Sequence, residues 1–231
     1  MKKILLLLLI CSSFLISSCS GQKKLERALE AINETSYTIK HHMKVVVSTS
    51  YQGQSMKETV EMDMDMEADP NQSYTVVTMN NEKAYVYGKR VGDDLKYYLK
   101  EADDSEWEKV ESDDSIQSFT DTAEILDIET EDVFVKEDDV WIGDCEKINN
   151  ELKEYMSEFA EEFVGAGITL SSARVDKYNI TLDGKDLSKV EVVMSMSMSM
   201  HGVTMNMIIT MNMEFSKIGE TTVTVPLNLP Q

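Results

Sequence analysis

Sulfur ligation of a metal ion is the first chemistry that this sequence suggests, because 16 of its 231 residues are methionine. The run M-S-M-S-M-S-M-H at 194–201 places a thioether at every second residue and ends on His201. Soft thioethers select Cu(I), so copper binding is one interpretation. Thioethers two residues apart on a strand start from Cα atoms about 6.6–6.8 Å apart, so one ion would need two strands, for example Met196 and Met207. We therefore favour an apolar sheet face over copper and predict neither a metal site nor a cofactor.

Catalytic chemistry has less support in the sequence. The histidines are His41, His42 and His201, and on a strand the adjacent pair would point to opposite faces. The sequence contains no glycine-rich phosphate loop, no H-E-x-x-H or G-x-S-x-G motif and no cysteine cluster for a metal. We predict that the chain is not an enzyme and name no catalytic residue.

A β-hairpin positions the longest methionine run. Apolar and polar residues alternate on both sides of His201-Gly202, which predicts two strands joined by a two-residue turn. A slip of one residue would set serines against methionines, so the alternation fixes the register. The predicted pairs are Met200 with Val203, Met198 with Met205, Met196 with Met207, Met194 with Ile209 and Val192 with Met211.

A second hairpin around Gly53 repeats this pattern near the start of the chain. Its predicted register pairs Val45 with Val60 and Met43 with Met62. The run M-D-M-D-M at 62–66 places methionines on one face of its second strand and acids on the other. The methionines of both hairpins form the candidate ligand-binding face: Met62, Met64, Met196, Met198, Met205, Met207, Met211 and Met213.

Methionine supports two opposed interpretations of this face. The unbranched thioether side chain can repack around varied apolar partners, as at promiscuous binding surfaces. Equally, a buried methionine contributes about 1.5–3 kcal/mol to a closed core. The first interpretation predicts a binder or carrier of an apolar ligand, and the second predicts a structural protein.

The N-terminus carries an export signal. Lys2 and Lys3 precede an apolar run from Ile4 to Ile16, which is too short to span a membrane and typical of a signal peptide. The following Ile16-Ser17-Ser18-Cys19 resembles the bacterial lipobox, which implies cleavage before Cys19 and its diacylation. Two acyl chains anchor a protein stably. We predict a signal peptide at 1–18, a lipid anchor and short linker at 19–21, and one domain at 22–231, held at the extracytoplasmic face of the cell membrane.

The formal net charge of −20 excludes a nucleic-acid surface, which needs clustered lysine and arginine. An acidic run from Glu101 to Asp114 could bind calcium or a cationic partner, but it lacks the glycine and ligand spacing of a calcium loop, and a solvated loop is favoured. Of the three cysteines, Cys145 alone stays unmodified in the mature chain, so no intramolecular disulfide can form. We favour a core position for Cys145 over a reactive thiol.

The remaining pattern predicts an α+β fold. Amphipathic periodicity predicts helices at about 22–33, 116–126 and 147–164. Alternation predicts strands at about 37–51, 54–68, 73–80, 83–89, 95–100, 107–110, 133–136, 140–142, 174–182 and 221–225, besides the methionine hairpin. Short hairpin connections indicate one antiparallel sheet, of about 9–12 strands, with helices covering its apolar face.

Several of these features together resemble a known family. The lipobox cysteine, the amphipathic first helix, Tyr37-Thr38-Ile39, and the closing F-S-K-I-G-E-T-T-V-T-V-P at 215–226 resemble lipoproteins of the LolA/LolB-like superfamily, which include mycobacterial lipid-carrier lipoproteins and uncharacterised Gram-positive lipoproteins. The resemblance implies an antiparallel half-barrel wrapped over two or three helices, with an apolar cavity for acyl chains and no catalytic residue.

The sequence thus predicts a membrane-anchored, non-enzymatic binder or carrier of a lipid or other apolar ligand. The alternative is a structural lipoprotein with a closed methionine core whose acidic surface binds a protein partner. Copper handling remains a minor alternative.

Overall fold

The computed structural model describes residues 22–32, 34–51, 53–92, 94–110, 132–152, 168–200 and 202–230. Within these ranges the chain forms a helix α1 at residues 22–32, a helix α2 at Cys145–Glu151, and eleven strands. The strands are β1 (Tyr37–Tyr51), β2 (Gln54–Asp69), β3 (Gln72–Met79), β4 (Glu82–Val91), β5 (Asp94–Lys100), β6 (Glu108–Val110), β7 (Phe134–Glu137), β8 (Val140–Gly143), β9 (Ile168–Asp183), β10 (Asp186–Met200) and β11 (Val203–Ser216).

All eleven strands belong to one open sheet in the order β6-β5-β4-β3-β2-β1-β11-β10-β9-β8-β7. Every pair of neighbours is antiparallel, which confirms the predicted sheet and its number of strands. The predicted helix at 116–126 and the part of the predicted helix 147–164 beyond residue 152 lie outside the described residues, as does Cys19.

Both predicted hairpin registers are confirmed. In β10–β11, Met198 faces Met205 and Met196 faces Met207. In β1–β2, Met43 faces Met62. Both turns contain a glycine with positive φ, 81° at Gly53 and 80° at Gly202, a conformation that glycine adopts without a Cβ penalty.

The pairing of β1 with β11 joins the two hairpins into one surface. The ladder runs from Thr38 opposite Ser216 to Ser50 opposite Thr204. It places the turns at Gly53 and Gly202 at the same end of the sheet. The four longest central strands therefore lie side by side in the order β2-β1-β11-β10.

The core lies on one face of this sheet, here called the inner face. Ile39, Met66 and Phe215 occupy adjacent positions on β1, β2 and β11 and belong to the buried cluster. The predicted apolar stripe of α1 packs in the same cluster, with Leu25 completely buried. Helix α1 therefore belongs to the core at the end of the sheet opposite the two glycine turns.

Helix α2 is fixed to β9 by hydrogen bonds as well as by packing. Asp144 caps the helix by accepting from the backbone N–H groups of Glu146 and Lys147. The Asn149 side chain accepts from Val175 N at 2.7 Å and donates to Val175 O at 2.9 Å. Strand β8 pairs with β9 only at Asn179–Thr181. The Asn149 side chain therefore supplies hydrogen bonds to the backbone of Val175, which lies outside that paired stretch.

The prediction of a final strand at 221–225 is wrong. Strand β11 ends at Ser216, and the backbone turns through Lys217 (φ 51°) and Gly219 (φ 77°). The backbone N–H of Thr224 donates to Glu67 Oε2 at 2.9 Å, while Val223 is buried. The alternation T-V-T-V therefore reflects the burial of one valine, Val223. The segment is held to the sheet by the Glu67 carboxylate, which accepts the backbone N–H bond that a neighbouring strand would otherwise accept.

Gly143 provides a test of how tightly β8, α2 and β9 pack. A Cβ at this position would lie 2.9 Å from the carbonyl O of Tyr178, which is backbone, and 2.7 Å from Ile148 Cδ1. We expect Gly143→Ala to lower the free energy of unfolding by about 1–3 kcal/mol, as overpacking does. Urea denaturation followed by circular dichroism measures this change.

The matched control is Gly88→Ala, whose new Cβ would meet side-chain atoms of Ser73 and Tyr97 at 3.0 and 3.1 Å. Side chains can rotate away more readily than a sheet carbonyl, so the control should lose less stability. Equal losses at the two glycines would contradict the tight packing at Gly143.

Candidate functional site

The structure places all eight predicted ligand-binding methionines on the inner face, on strands β2, β11 and β10, with β1 lying between β2 and β11. Directly opposed residues of antiparallel strands point to the same side of a sheet. The registers of β2-β1-β11-β10 therefore give one mainly apolar surface, which also includes the polar residues His41, Thr49 and Glu58. Its predicted methionines are Met62, Met64, Met196, Met198, Met205, Met207, Met211 and Met213.

Burial along this surface falls from the core toward the two glycine turns. Met213 is 1% exposed and belongs to the core cluster, against which Met211 packs. Met196 is also buried. Nearer the turns than Met213, most apolar residues of the inner face are only half-buried, and five of them are here called the distal apolar face: Val60, Met62, Met198, Met205 and Met207. Met56, nearer the turn, is 65% exposed.

His41 lies within the methionines, at the boundary between the core and the distal apolar face. It stands opposite Met64 on β2 and Met213 on β11, while Met43 stands opposite Met62 and Met211. Its Nε2 atom is buried and finds no hydrogen-bond partner among the described residues. Burial, and secondarily the neighbouring His42, lower the pKa of His41, which favours a neutral ring.

The sequence pattern predicted no role for His41. It pointed instead to His201 as the end of a possible copper-binding run, and His201 lies outside the described residues. The information was nevertheless available. The predicted pairing of Met43 with Met62 already implies that His41 faces Met64 on the same side. The contribution of Met213 depends on the β1–β11 ladder, for which no local pattern exists.

The opposite, outer face is charged and hydrogen-bonded. His42 Nδ1 lies 2.7 Å from Asp63 Oδ1, and Lys44 donates to Glu61 at 2.7 Å. Glu191 accepts from Lys177 at 3.0 Å and from Lys189 at 2.9 Å. The outer face is therefore a solvated surface with several ordered ion pairs.

An aromatic cluster occupies the outer face where β3 and β4 approach the acidic run. The ring centroids of Tyr74, Tyr85 and Trp107 are each 6.5 Å apart. The Tyr85 hydroxyl donates to Asp103, and this bond raises the pKa of Tyr85 to about 12. Within the described residues no three His, Cys, Asp or Glu side chains converge as metal ligands. In the described part of the acidic run, the Asp103 carboxylate therefore accepts a hydrogen bond from Tyr85.

One cleft of about 160 Å³ lies near the β2–β3 turn. Its wall includes Tyr37, Asp69, Arg90 and Tyr97 but none of the eight predicted methionines. Ligand pockets for drug-sized molecules are typically about 300–1,000 Å³, so this cleft is too small for an acyl chain of ordinary length. The distal apolar face is a separate surface.

Cys145 packs against the core cluster, as predicted. Its thiol is half-buried, with Sγ 3.7 Å from the carbonyl O of Gly143. Burial raises the pKa of Cys145, which disfavours the reactive thiolate. These observations favour a structural thiol.

Comparisons with known proteins give distant likenesses. No family model and no curated protein matches the chain. A DUF1329 family protein from Desulfovibrio piger aligns at 10% identity over 90% of this chain and 94% of its own, with a TM-score of 0.24. A putative outer membrane lipoprotein-sorting protein domain from Vibrio parahaemolyticus aligns at 11% identity over 88% and 94%, with a TM-score of 0.28. Likenesses at these TM-scores carry no argument about the fold or the function of this chain.

The ion pairs of Glu191 predict a pH dependence of stability. Lys189 and Lys177 hold the pKa of Glu191 below its usual value, so ionised Glu191 stabilises the fold above the pKa of the unfolded chain. This stabilisation is lost as the pH falls through the lowered folded-state pKa. We expect Glu191→Gln to reduce the acid sensitivity of the free energy of unfolding by up to about 1 kcal/mol.

Urea titrations at neutral and acidic pH measure this difference. Lys177→Met should remove part of the effect, because Lys189 still donates to Glu191. Identical pH profiles for wild type and Glu191→Gln would show that these pairs contribute nothing.

Proposed function

We propose that this protein is an extracytoplasmic lipoprotein that binds or carries an apolar ligand, an acyl chain or other lipid, on the distal apolar face. The observation that supports this proposal is the burial gradient along the methionine surface. On the same face of the sheet, Met213 is buried in the core, whereas Met198, Met205 and Met207 are only half-buried.

The chemistry of the distal apolar face suits a flexible apolar ligand. Contiguous exposed apolar surface on a protein is characteristic of binding sites. Methionine adapts its shape through three rotatable bonds, so a row of methionines can accommodate chains of different length and unsaturation. Serines and Asn206 occupy the alternate, outward positions of the same hairpin, so a bound chain would meet only one side of the sheet.

The proposed architecture is a LolA-like half-barrel, in which the open sheet curves around helices on its inner face. Support comes from the single antiparallel sheet, its edges at β6 and β7, and the position of α1 in the inner-face core. In this proposal residues 1–18 are removed as a signal peptide, Cys19 carries a diacylglycerol, and residues 22–231 form the domain. Because residue 22 already belongs to α1, a short linker after Cys19 would hold the domain close to the bilayer. In the described residues no helix is long and apolar enough to cross a membrane.

A second candidate function is a structural lipoprotein that binds a protein partner through its outer face. The aromatic cluster with Asp103 and the net charge of −20 favour a basic partner for this face. Under this alternative the methionines pack only against one another, and no ligand enters.

The lipid anchor is tested by Cys19→Ala. We expect this variant to leave the membrane fraction and appear in the soluble extracytoplasmic fraction, because two buried acyl chains are needed for stable anchoring. Cell fractionation and metabolic labelling with a fatty acid measure the change. Cys11→Ala is the matched control and should remain membrane-bound, and loss of both variants from the membrane would contradict the proposed anchor.

The binding face is tested by native mass spectrometry of residues 20–231 isolated from a bacterial host, followed by organic extraction. We expect about one acyl species per wild-type chain and its loss in the double variant Met198→Asp with Met205→Asp, since two carboxylates would lie on the apolar path. The control is Ser197→Asp with Asn206→Asp, the neighbouring cross-strand pair on the outer face.

Circular dichroism establishes that both double variants remain folded. Unchanged acyl binding in the folded inner-face variant would disprove the site. A wild-type chain that carries no lipid and takes up no added fatty acid would favour the second candidate function.

A further inference from the structure

His41 is an unusual residue in this position, because an imidazole nitrogen without a partner costs free energy when it is buried. An unsatisfied buried polar atom typically costs about 1–3 kcal/mol. Within the described part of the chain, the Nε2 atom of His41 meets this description. The adjacent His42 points to the outer face and pairs with Asp63 at 2.7 Å, which helps to keep His41 on the inner face.

The residues around His41 form two rows across three strands. The first row is Met64, His41 and Met213, and the second row, two residues closer to the turns, is Met62, Met43 and Met211. Directly opposed residues have Cβ atoms about 4.5–5.5 Å apart, within reach of long side chains. One imidazole and five thioethers therefore lie next to one another on β2, β1 and β11.

We propose that this cluster is a Cu(I) site, in which His41 Nε2 and the thioethers of Met64 and Met213 bind the ion and the second row supplies further sulfur. This site is different from the run ending at His201, where thioethers follow one another along a single strand. Here the ligands come from directly opposed positions on three adjacent strands. Neighbouring Cβ atoms are then about 4.5–5.5 Å apart, which is closer than the spacing of about 6.6–6.8 Å along a single strand.

The ligand chemistry selects a soft monovalent ion. Thioethers favour Cu(I), whereas the harder divalent metals prefer carboxylate, water and imidazole. All six side chains are neutral when His41 is unprotonated. A single positive charge costs less to bury among neutral ligands than a double one.

The site is accessible from the distal apolar face. His41, Met43, Met62, Met64 and Met211 all keep partial exposure, and Met213 alone among the six is fully buried. An ion could therefore enter over the second row and stop at His41. The rows lie nearer the core than the pair Met198 and Met205, so copper binding and acyl binding can be separated by mutation.

The test is anaerobic titration of the full-length chain in detergent with Cu(I), against a chromogenic Cu(I) chelator. Cys11, Cys19 and Cys145 are replaced by serine throughout so that no thiol competes for the ion. We expect one Cu(I) per chain. The single variant His41→Leu and the double variant Met64→Leu with Met213→Leu should each weaken Cu(I) affinity at least about tenfold. Mutation of residues that only support metal ligands already costs about this much, so loss of a ligand should cost no less.

Matched controls separate this cluster from methionine content in general. His42→Gln changes the neighbouring histidine, and Met56→Leu removes an exposed thioether near the turn; both should retain the affinity of the parent chain that carries only the cysteine replacements. X-ray absorption of the loaded chain should show sulfur and nitrogen ligands, with the nitrogen contribution lost in His41→Leu.

Circular dichroism shows whether each variant is folded. The proposal would be overturned if the folded parent chain with only the three cysteine replacements binds no Cu(I), or if the His41 and His42 variants weaken binding equally. The variant Met198→Asp with Met205→Asp should retain copper while losing lipid, so failure of the lipid proposal and failure of the copper proposal give different results.

Discussion

The pairing of β1 with β11 is the interaction on which the rest of the structure depends. It joins a strand near the start of the described chain to the last strand, from Thr38 opposite Ser216 to Ser50 opposite Thr204. Without it the two hairpins would be the edges of separate sheets. With it, their methionine faces merge, and His41 acquires methionine neighbours on both sides. Closing such a long loop costs chain entropy before any contact forms, so this ladder is expected to form late in folding.

The sheet uses one apolar pattern for two purposes. Near Ile39 the inner face packs with the stripe of α1, where each fully buried large apolar side chain contributes about 1.5–3 kcal/mol. Toward Gly53 and Gly202 the same alternation continues into half-exposed methionines. Stability therefore comes mainly from one end of the strands, while the methionines at the other end are only half-buried. The Glu191 and Lys44 ion pairs on the outer face add little, because exposed pairs are screened by water.

Local patterns predicted the strands and the registers within hairpins, because a slip would have exchanged apolar and polar faces along the whole length of Met194–Met200. The β1–β11 register has no comparable local pattern, since its partners come from opposite ends of the chain. The predicted strand at Thr221–Val225 failed for another reason: alternation shows which side chains are buried, but not whether the backbone bonds to a ladder or to the Glu67 carboxylate. His41 was given no role because its face was not compared with that of Met43, although two residues of one strand that are two positions apart lie on the same side.

The edges of the sheet are unlike its centre. The central strands are 14–16 residues long, while among the described residues the edge strands are Glu108–Val110 and Phe134–Glu137. Both edges also carry charged residues, such as Lys109 and Lys136. An unpaired strand is a template for the strand of another molecule, and a short charged one is a poor template. Under the proposed lipid anchor, many copies at the membrane surface could therefore lie close together without polymerising through their edges.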